Sequence, residues 1–407
     1  MGSERGGARR VAITGAGTVN ALALDVAGTM AALAEGRVAI GPLHFDEVER
    51  LSVRIGGQIH IWDAEARFSR QELSLYDRVV QFAIEAAQQA VTQAGLDLSE
   101  AEAMRAGVVL GTGGGGYNTV DDSYRALHAQ GRNRVHPFTI PRLMHNAAAA
   151  HLSMRHGLKG PSFTVSTACA SSNHAMGLAL QMVRSGASDV VLTGGAEATL
   201  CFGGLKAWEG LRVMSPDGCR PFCASRNGMV QGEGATVFVF EDWDRATARG
   251  AEILAEVAGA AMSSDAGDIV LPDPDGAARA MRGALADGGL NADDIGYINA
   301  HGTATAANDR SEAQAIRSVF DTPPPVSSTK SMHGHLLGAA GAVELLAVIS
   351  ALRDGVIPPT AGWREADPAV LGLDVVPNES RRALVDAALS NAFAFGGMNA
   401  CLALRRA

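Results

Sequence analysis

The sequence has no apolar run approaching the ~18 residues that a membrane-spanning helix needs, so no membrane span is expected. Its start is basic but lacks the apolar stretch of a secretory signal, and residues 1–10 read as a disordered tail. Gly2 is a poor myristoylation site, because position 6 is Gly6 rather than Ser or Thr. Aromatic residues are scarce, at 5%. There is no excess of basic charge either. Lys and Arg number 34 against 43 Asp and Glu, a net charge of −9. That balance excludes a chain-wide nucleic-acid or acidic-membrane surface. The five cysteines, Cys169, Cys201, Cys219, Cys223 and Cys401, are odd in number and scattered. They fit reduced thiols in a cytoplasmic protein better than a disulfide framework. Cys219 and Cys223 lie close together, but no further Cys or His pair completes a zinc set, and no metal site is expected. A G-x-x-x-x-G-K-[ST] phosphate loop is absent as well.

What is present is a chain of 407 residues, 47% of them hydrophobic and 48 of them glycine. At ~100–200 residues per domain, that is two units or one duplicated domain. A short apolar run, a small-residue turn and a longer amphipathic stretch recur along it. Val11–Thr14 reads as a strand closed by a Gly15-Ala16-Gly17 turn. Arg78–Ala94 has helical periodicity, and Gly107–Leu110 returns to strand. Pro161–Val165, Asp189–Thr193 and Ala235–Glu241 read as strands, with a helix over Ala170–Ser185. The rhythm restarts near Ala251. Strands are expected at Glu252–Ala258, Ile295–Ala300, Val326–Thr329 and Ala387–Ala392, and helices at Gly276–Asp287, Asp309–Val319 and Ala339–Leu352. The alternation implies α/β layers over buried sheets, in two similar halves, residues 1–250 and 251–407.

Cys169 stands in Ser166-Thr167-Ala168-Cys169-Ala170-Ser171-Ser172, where a strand ends, small residues turn and a helix begins. That is the pattern of a nucleophile elbow, and a helix N-terminus favours thiolate. A small buried core cysteine is the competing reading. His174 is five residues further along the helix, ~140° around from Cys169, and is a poor partner for it. His301 and His335 both stand just after expected strands, in Asn299-Ala300-His301-Gly302 and Met332-His333-Gly334-His335. Ligands gather at the carboxyl ends of strands in α/β sheets, so three strand ends offer a sulfur and two imidazoles. Lys330, near His335, would hold an imidazole neutral and could pair with Glu344; alternatively it is a solvated surface residue. Gly111-Thr112-Gly113-Gly114-Gly115-Gly116 matches G-x-G-x-x-G, but the acid of a dinucleotide site, ~20 residues on, is missing. Close backbone packing accounts for these glycines better.

At these residues the chain resembles the β-ketoacyl synthases of the thiolase superfamily, specifically the Cys-His-His class that elongates chains on acyl carrier protein. The motifs are STACASS with Cys169, NAHGTAT with His301, SSTKSMHGHLLGAAGAVE with Lys330, His335 and Glu344, and SNAFAFGGMNA near the C-terminus. The resemblance implies a five-layer αβαβα fold of two duplicated halves and a dimer. It implies that Cys169 takes an acyl group from a phosphopantetheine thioester. His301 and His335 would then hydrogen-bond the malonyl thioester as CO2 leaves, and the resulting enolate would attack the Cys169 thioester. Backbone N–H groups of Cys169 and Phe395 would form the oxyanion hole. Lys330 and Glu344 would order the site, and Thr303 and Thr305 would contact the carrier arm. Gly114, Phe393 and Glu344 are further substrate-binding candidates. No metal or redox cofactor is implied.

Three departures from the family pattern stand out. The gating loop reads Ala394-Phe395-Gly396-Gly397 in place of Gly-Phe-Gly-Gly, which restricts Phe395. Gly114 replaces a bulky residue at the floor of the acyl pocket, implying a deeper or wider pocket for long or rigid chains. Arg132, Arg134 and Arg212 could dock an acidic carrier on one side of the tunnel. The helix expected to supply the other side reads Arg70-Gln71-Glu72-Leu73-Ser74-Leu75 and has lost most of its basic charge. Since that helix comes from the partner protomer in the family, the partner is either a second copy or a chain-length factor. The rival readings are a non-condensing chain-length factor, which normally lacks the cysteine; a thiolase, which needs a second catalytic cysteine near Cys401; and a Cys-His protease.

Overall fold

The computed structural model describes residues 8–407. Of the N-terminal tail expected over residues 1–10, residues 1–7 lie outside that range. The rest is anchored: Arg10 grips Glu256 with two bonds of 2.9 and 2.7 Å, and Arg9 bonds Asp189 at 2.8 Å.

Five strands of the first half are β1 (Val11–Asn20), β2 (Ala106–Gly111), β3 (Ser162–Val165), β4 (Val190–Glu197) and β5 (Gly234–Asp242). They lie side by side in the order β3-β2-β4-β5-β1. The second half repeats the pattern with β6 (Ala255–Ser264), β7 (Ile295–Asn299), β8 (Pro325–Ser327), β9 (Ala387–Ala394) and β10 (Met398–Arg405), in the order β8-β7-β9-β10-β6. Numbered within each half, both orders are third, second, fourth, fifth, first. The first three strands in each order run parallel, and the fifth pairs antiparallel with both its neighbours. The duplication inferred from the rhythm is therefore a duplication of topology. The strands β1 and β6 pair over Ala12–Glu256 and Ile13–Ala255, joining both sheets into one ladder.

Helices fill three layers around these sheets. The outer layer of the first half holds α1 (Arg78–Ala94) and α2 (Ala147–His156). Between the sheets lie α3 (Ser171–Arg184) and α6 (Ala340–Asp354), each touching strands of both halves. Against the second sheet lies α4 (Pro274–Asp287), and α5 (Ala306–Val319) packs on α4 and joins the same core. The sequence explains this placement. Along α1, one apolar face of Val79, Val80, Phe82, Ala83, Ala86 and Ala90 is buried. Asp77 caps its N-terminus, and Gly95, at φ 57°, ends it. By contrast every residue of α6 from Ala340 to Leu352 is buried, and all but Glu344 and Ser350 are apolar or glycine, as a helix between two sheets requires.

The turn expected at Gly15-Ala16-Gly17 is not there. Strand β1 runs straight through it, because α1 lies against the strand at those positions. A Cβ on Gly17 would sit 2.0 Å from the Ala86 carbonyl oxygen, and one on Gly15 would sit 2.2 Å from that of Ala90. The strand expected at Glu252–Ala258 begins later, at Ala255, and continues to Ser264. Its first five residues are buried and its far end, from Ala260 on, is half-buried or exposed.

Gly17→Ala should therefore destabilise the protein by about 3 kcal/mol, the upper end of the overpacking range, since the obstruction is backbone. Urea unfolding would measure it; an unchanged midpoint would contradict the close strand–helix approach.

Candidate active site

Strand β3 ends at Val165, and the chain turns at Thr167-Ala168 into Cys169 and α3. Ala168 has φ 48°, an uncommon left-handed alanine, which throws Cys169 out of the turn. The Ser171 hydroxyl braces the turn, accepting from Thr167 N at 2.9 Å and donating to Ala168 O at 2.7 Å. His174 braces it too, with Nδ1 at 2.9 Å from Thr167 Oγ1 and 3.1 Å from Ala170 O, and takes no part in the reactive cluster. Burial pushes the Cys169 thiol up to about 12, against the opposing pull of the Lys330 charge and of the backbone N–H groups of Cys169 and Phe395. The resting group is thus a thiol. Thiolate character from the helix terminus, expected from the sequence, is outweighed by desolvation.

His301 follows β7, and His335 follows the short helix Lys330–His333. The structure brings both to Cys169: the sulfur and one nitrogen of each ring all lie within 4.8 Å of one another, and all three residues are buried. The imidazoles meet edge to face, with centroids 5.4 Å apart. Their partners fix the tautomers. Nδ1 of His335 accepts from Leu337 N at 3.2 Å, leaving the proton on Nε2, which is buried without a partner. Nδ1 of His301 faces the Lys330 ammonium at 3.3 Å and must also accept, so its Nε2 carries a proton as well. Burial first, and the Lys330 charge second, hold both rings well below the ordinary histidine range. Two neutral imidazoles, each with its proton on Nε2, therefore stand beside the sulfur.

Lys330 is not a surface residue. It is wholly buried, 2.5 Å from Glu344 Oε1 and 2.5 Å from the His301 carbonyl oxygen. It packs on His301 rather than on His335, its nearer neighbour in sequence. Burial lifts the Glu344 carboxyl above its usual range against the pull of Lys330. Neither residue lines either cavity at Cys169: Glu344 meets Lys330, and Lys330 meets His301.

Two cavities meet at Cys169. One, of about 80 Å³, is lined by His301, His335, Thr303, Thr305, Phe393 and Phe395. The Thr303 and Thr305 hydroxyls bond each other at 2.9 Å. The other, of about 150 Å³, is lined by Gly114, Tyr117, Ala168, Thr199, Trp208 and Leu337. Gly114 opens less space than the sequence implies. A Cβ there would lie 2.8 Å from Thr199 Cγ2 and 3.3 Å from the Tyr117 ring, so those two side chains already occupy the room. Ala394 pairs with Met398 at the end of the β9–β10 hairpin, so its Cβ fits an extended strand. The left-handed backbone lies after Phe395, at Gly396 and Gly397, with φ 80° and 67°. Arg132, Arg134 and Arg212 are exposed and line neither cavity, although Arg212 precedes Val213 on the tunnel wall.

Two carboxylates escaped sequence reasoning. Glu197 accepts from Gly113 N, Gly114 N and Gly338 N at 2.7, 3.0 and 2.9 Å, tying the glycine loop to the His335 loop. Glu312 accepts from His301 N and Gly302 N at 2.8 and 2.7 Å. Burial pushes each up to about 7. The available signal was an acid ending the apolar run of β4, and, on α5, an acid beside Ala313 and Ile316 on the inward face. Cys169, His301 and His335 also offer three ligand atoms, but a dication would sit beside the Lys330 ammonium, and both Nδ1 atoms are engaged. The set does not suit a metal. Among the described residues, Cys219 and Cys223 join no such cluster. Cys401 is buried in β10 and reaches neither cavity, which removes the second cysteine a thiolase needs.

Known proteins resemble this chain along most of its length. Residues 8–246 match the family model described as "Beta-ketoacyl synthase, N-terminal domain", and residues 254–364 match the one described as "Beta-ketoacyl synthase, C-terminal domain". A "Nodulation protein E" from Rhizobium sp. is 48% identical over 98% of this chain and 99% of its own. A "3-oxoacyl-[acyl-carrier-protein] synthase 2" from Synechocystis sp. is 39% identical over 98% of each chain. A solved structure described as "The ishigamide ketosynthase/chain length factor" superposes with a TM-score of 0.94 at 35% identity, over 98% of this chain and 100% of that one.

Two outcomes follow. Alkylation of Cys169 by iodoacetamide, corrected with Cys169→Ala, should quicken about tenfold per pH unit from pH 7 to 10; a plateau near neutrality would show a low-pKa thiolate instead. Lys330→Met should cost about 3–5 kcal/mol by leaving Glu344 buried and unpaired, and adding Glu344→Leu should restore most of it. An additive double-mutant cycle would mean that the two residues do not interact.

Proposed function

Because the chain belongs to the β-ketoacyl synthase family, we propose that it catalyses decarboxylative condensation of malonyl-acyl carrier protein with an acyl chain held on Cys169. The observation that carries this reading is the meeting of one sulfur with two neutral N–H donors where two cavities join. In the first half-reaction the acyl–sulfur bond of the carrier breaks and an acyl–Cys169 bond forms, and the thiol proton passes to the departing carrier thiol. In the second, the malonyl carbon–carboxyl bond breaks. Its electron pair enters the enolate, whose oxygen accepts from Nε2–H of His301 and His335. The enolate carbon attacks the Cys169 thioester, the carbon–sulfur bond breaks, and the sulfur leaves as thiolate and regains a proton. The oxyanion formed during attack sits on the N–H groups of Cys169 and Phe395, which already point at the sulfur. Loss of CO2 drives the sequence, so no metal or redox cofactor is required.

We assign the tunnel of Thr303, Thr305, Phe393 and Phe395 to the phosphopantetheine arm and the chamber of Gly114 to the acyl chain. For chains longer than the chamber holds, Tyr117 must turn aside. Arg132, Arg134 and Arg212 are exposed cations suited to an acidic carrier. The helix Arg70–Leu75 adds little there, because its Glu72 is engaged by Arg155 at 3.0 Å. A second, ketosynthase-like chain is therefore the partner we favour, in line with the ketosynthase/chain length factor that superposes on this chain. A complete Cys-His-His constellation speaks against a non-condensing subunit. The scattered reduced cysteines support a cytoplasmic location.

The test is intact-protein mass after incubation with acyl carriers of graded chain length. The wild type should gain one acyl group and Cys169→Ala none; acylation of the mutant would refute the nucleophile. His301→Ala and His335→Ala should still load acyl chains yet lose malonyl decarboxylation. Since both rings stay neutral well below pH 6.5, decarboxylation should not fall as the pH drops through 6.5; a step there would show protonation of a catalytic imidazole. Co-expression with a neighbouring ketosynthase-like chain should give a mixed dimer, and an active dimer of this chain alone would sink that part.

A further inference from the structure

Ile269 and Leu271 are among the most exposed large apolar side chains of the described residues, 73% and 63% open to solvent. They stand on the segment between β6 and α4, and they alternate with residues that face the other way. Val270 and Pro272 line the tunnel that leads to Cys169. An apolar pair therefore points outward from the tunnel rim. Arg212, exposed and next to the tunnel residue Val213, brings a cation to the same tunnel. A single exposed leucine needs no explanation, whereas a pair held on the rim of a substrate tunnel does.

The segment is fixed in place. Asp268 Oδ1 accepts from Val270 N at 2.7 Å and from Leu271 N at 2.9 Å, closing a tight turn around Ile269. Asp265 Oδ2 accepts from Asp273 N at 3.0 Å and ties the two ends together. Gly396 N donates to Ile269 O at 2.8 Å, and Asp265 N donates to Gly397 O at 2.9 Å, which binds the segment to the β9–β10 hairpin. Its charge has the wrong sign for an acidic partner: residues 265–278 hold four aspartates and no lysine or arginine. All four are engaged within the protein. Besides the bonds above, Asp265 Oδ1 accepts from Asn399 at 2.7 Å, Asp273 caps α4, and Asp275 pairs with Arg279 at 3.2 Å. What the segment offers outward is apolar surface.

We propose that Ile269 and Leu271 form an apolar docking point for the acyl carrier protein. This rests on the condensing reading above. While the phosphopantetheine arm fills the tunnel, the carrier that bears it covers the tunnel rim. An acidic carrier gains nothing electrostatic from a run of aspartates, but its exposed apolar side chains gain by burying these two. The rim thus grips the carrier in two ways, by the charge of Arg212 and by the apolar contact of Ile269 and Leu271. Charge steers the carrier in, and the apolar pair slows its departure. Because the segment is already ordered, little freedom is lost on binding. Burying two such side chains in part is worth about 10-fold in affinity.

The experiment follows CO2 release from malonyl-acyl carrier protein and from malonyl-pantetheine, which has the arm's reactive end but no carrier. The readout is KM for the first divided by KM for the second. The double variant Ile269→Ser, Leu271→Ser should raise that ratio about 10-fold, and Ile269→Leu with Leu271→Ile, which keeps the apolar area, should restore it. Leu384→Ser, at a leucine 76% exposed and outside both cavities, supplies the baseline. The rise should be equal at about 50 and about 500 mM salt, because apolar burial is not screened. A rise that vanishes at high salt would show an effect of charge and overturn the proposal. A purely structural effect would move both constants together, and an unchanged ratio also overturns it. If the serine variant leaves the ratio unchanged but alters the association of chains in size exclusion, the pair belongs to a partner chain rather than to the carrier. Absence of CO2 release from either substrate in the wild type would instead overturn the condensing reading, and the docking point with it.

Discussion

A buried ammonium organises this site. Lys330 has no access to water, and its charge is answered by Glu344 and by the carbonyl oxygen and ring of His301. A cation in so dry a place reaches further than a surface one, because little screens it. It disfavours a second proton on either imidazole and offsets part of the desolvation that keeps Cys169 a thiol. The cation thus opposes charge on the rings and favours it on the sulfur, the division of labour a condensing site requires. Two sheets and the buried length of α6 from Ala340 to Leu352, which carries Glu344, keep that pair dry.

The large features of the fold were legible in the sequence because they rest on periodicity. The stripe of Arg78–Ala94 is the buried face of α1, and the repeated strand–helix rhythm became the same strand order in both halves. Local punctuation misled where tertiary packing overrode it. Gly15 and Gly17 look like a turn, but they are glycines because a helix presses on a continuous strand. The reactive triad was legible for a different reason: its members stand at strand ends, and topology gathers strand ends. Partner choice was not legible. Lys330 is near His335 along the chain, yet lies against His301, because the loop after β8 folds back over the end of β7. Glu197 and Glu312 do their work through backbone N–H groups, which leave no mark in a sequence.

The duplication explains where the chemistry sits. Cys169 comes from the first half, and His301 and His335 from the second. The middle helices α3 and α6 belong one to each half and touch both sheets. Neither half encloses a site by itself: the sulfur stands at the head of α3, and the donors facing it are carried by loops of the other sheet. The Glu197 carboxylate reinforces the seam, since it holds Gly113 and Gly114 of one half and Gly338 of the other.

Ala168, Ala304 and Leu337 each hold a left-handed backbone beside a residue of the site. Glycine would adopt that shape at no steric expense, whereas each of these side chains costs on the order of 1 kcal/mol to hold there. The side chains also remove the alternative shapes that glycine would permit. Thermal wandering of the reacting atoms is narrowed at the source, and the surrounding sheets absorb the resulting tension. A chain built this way trades some resistance to unfolding for precision of aim. At Leu337 the buried side chain fills the core as well, so the strain there is outweighed by the packing that holds it in place.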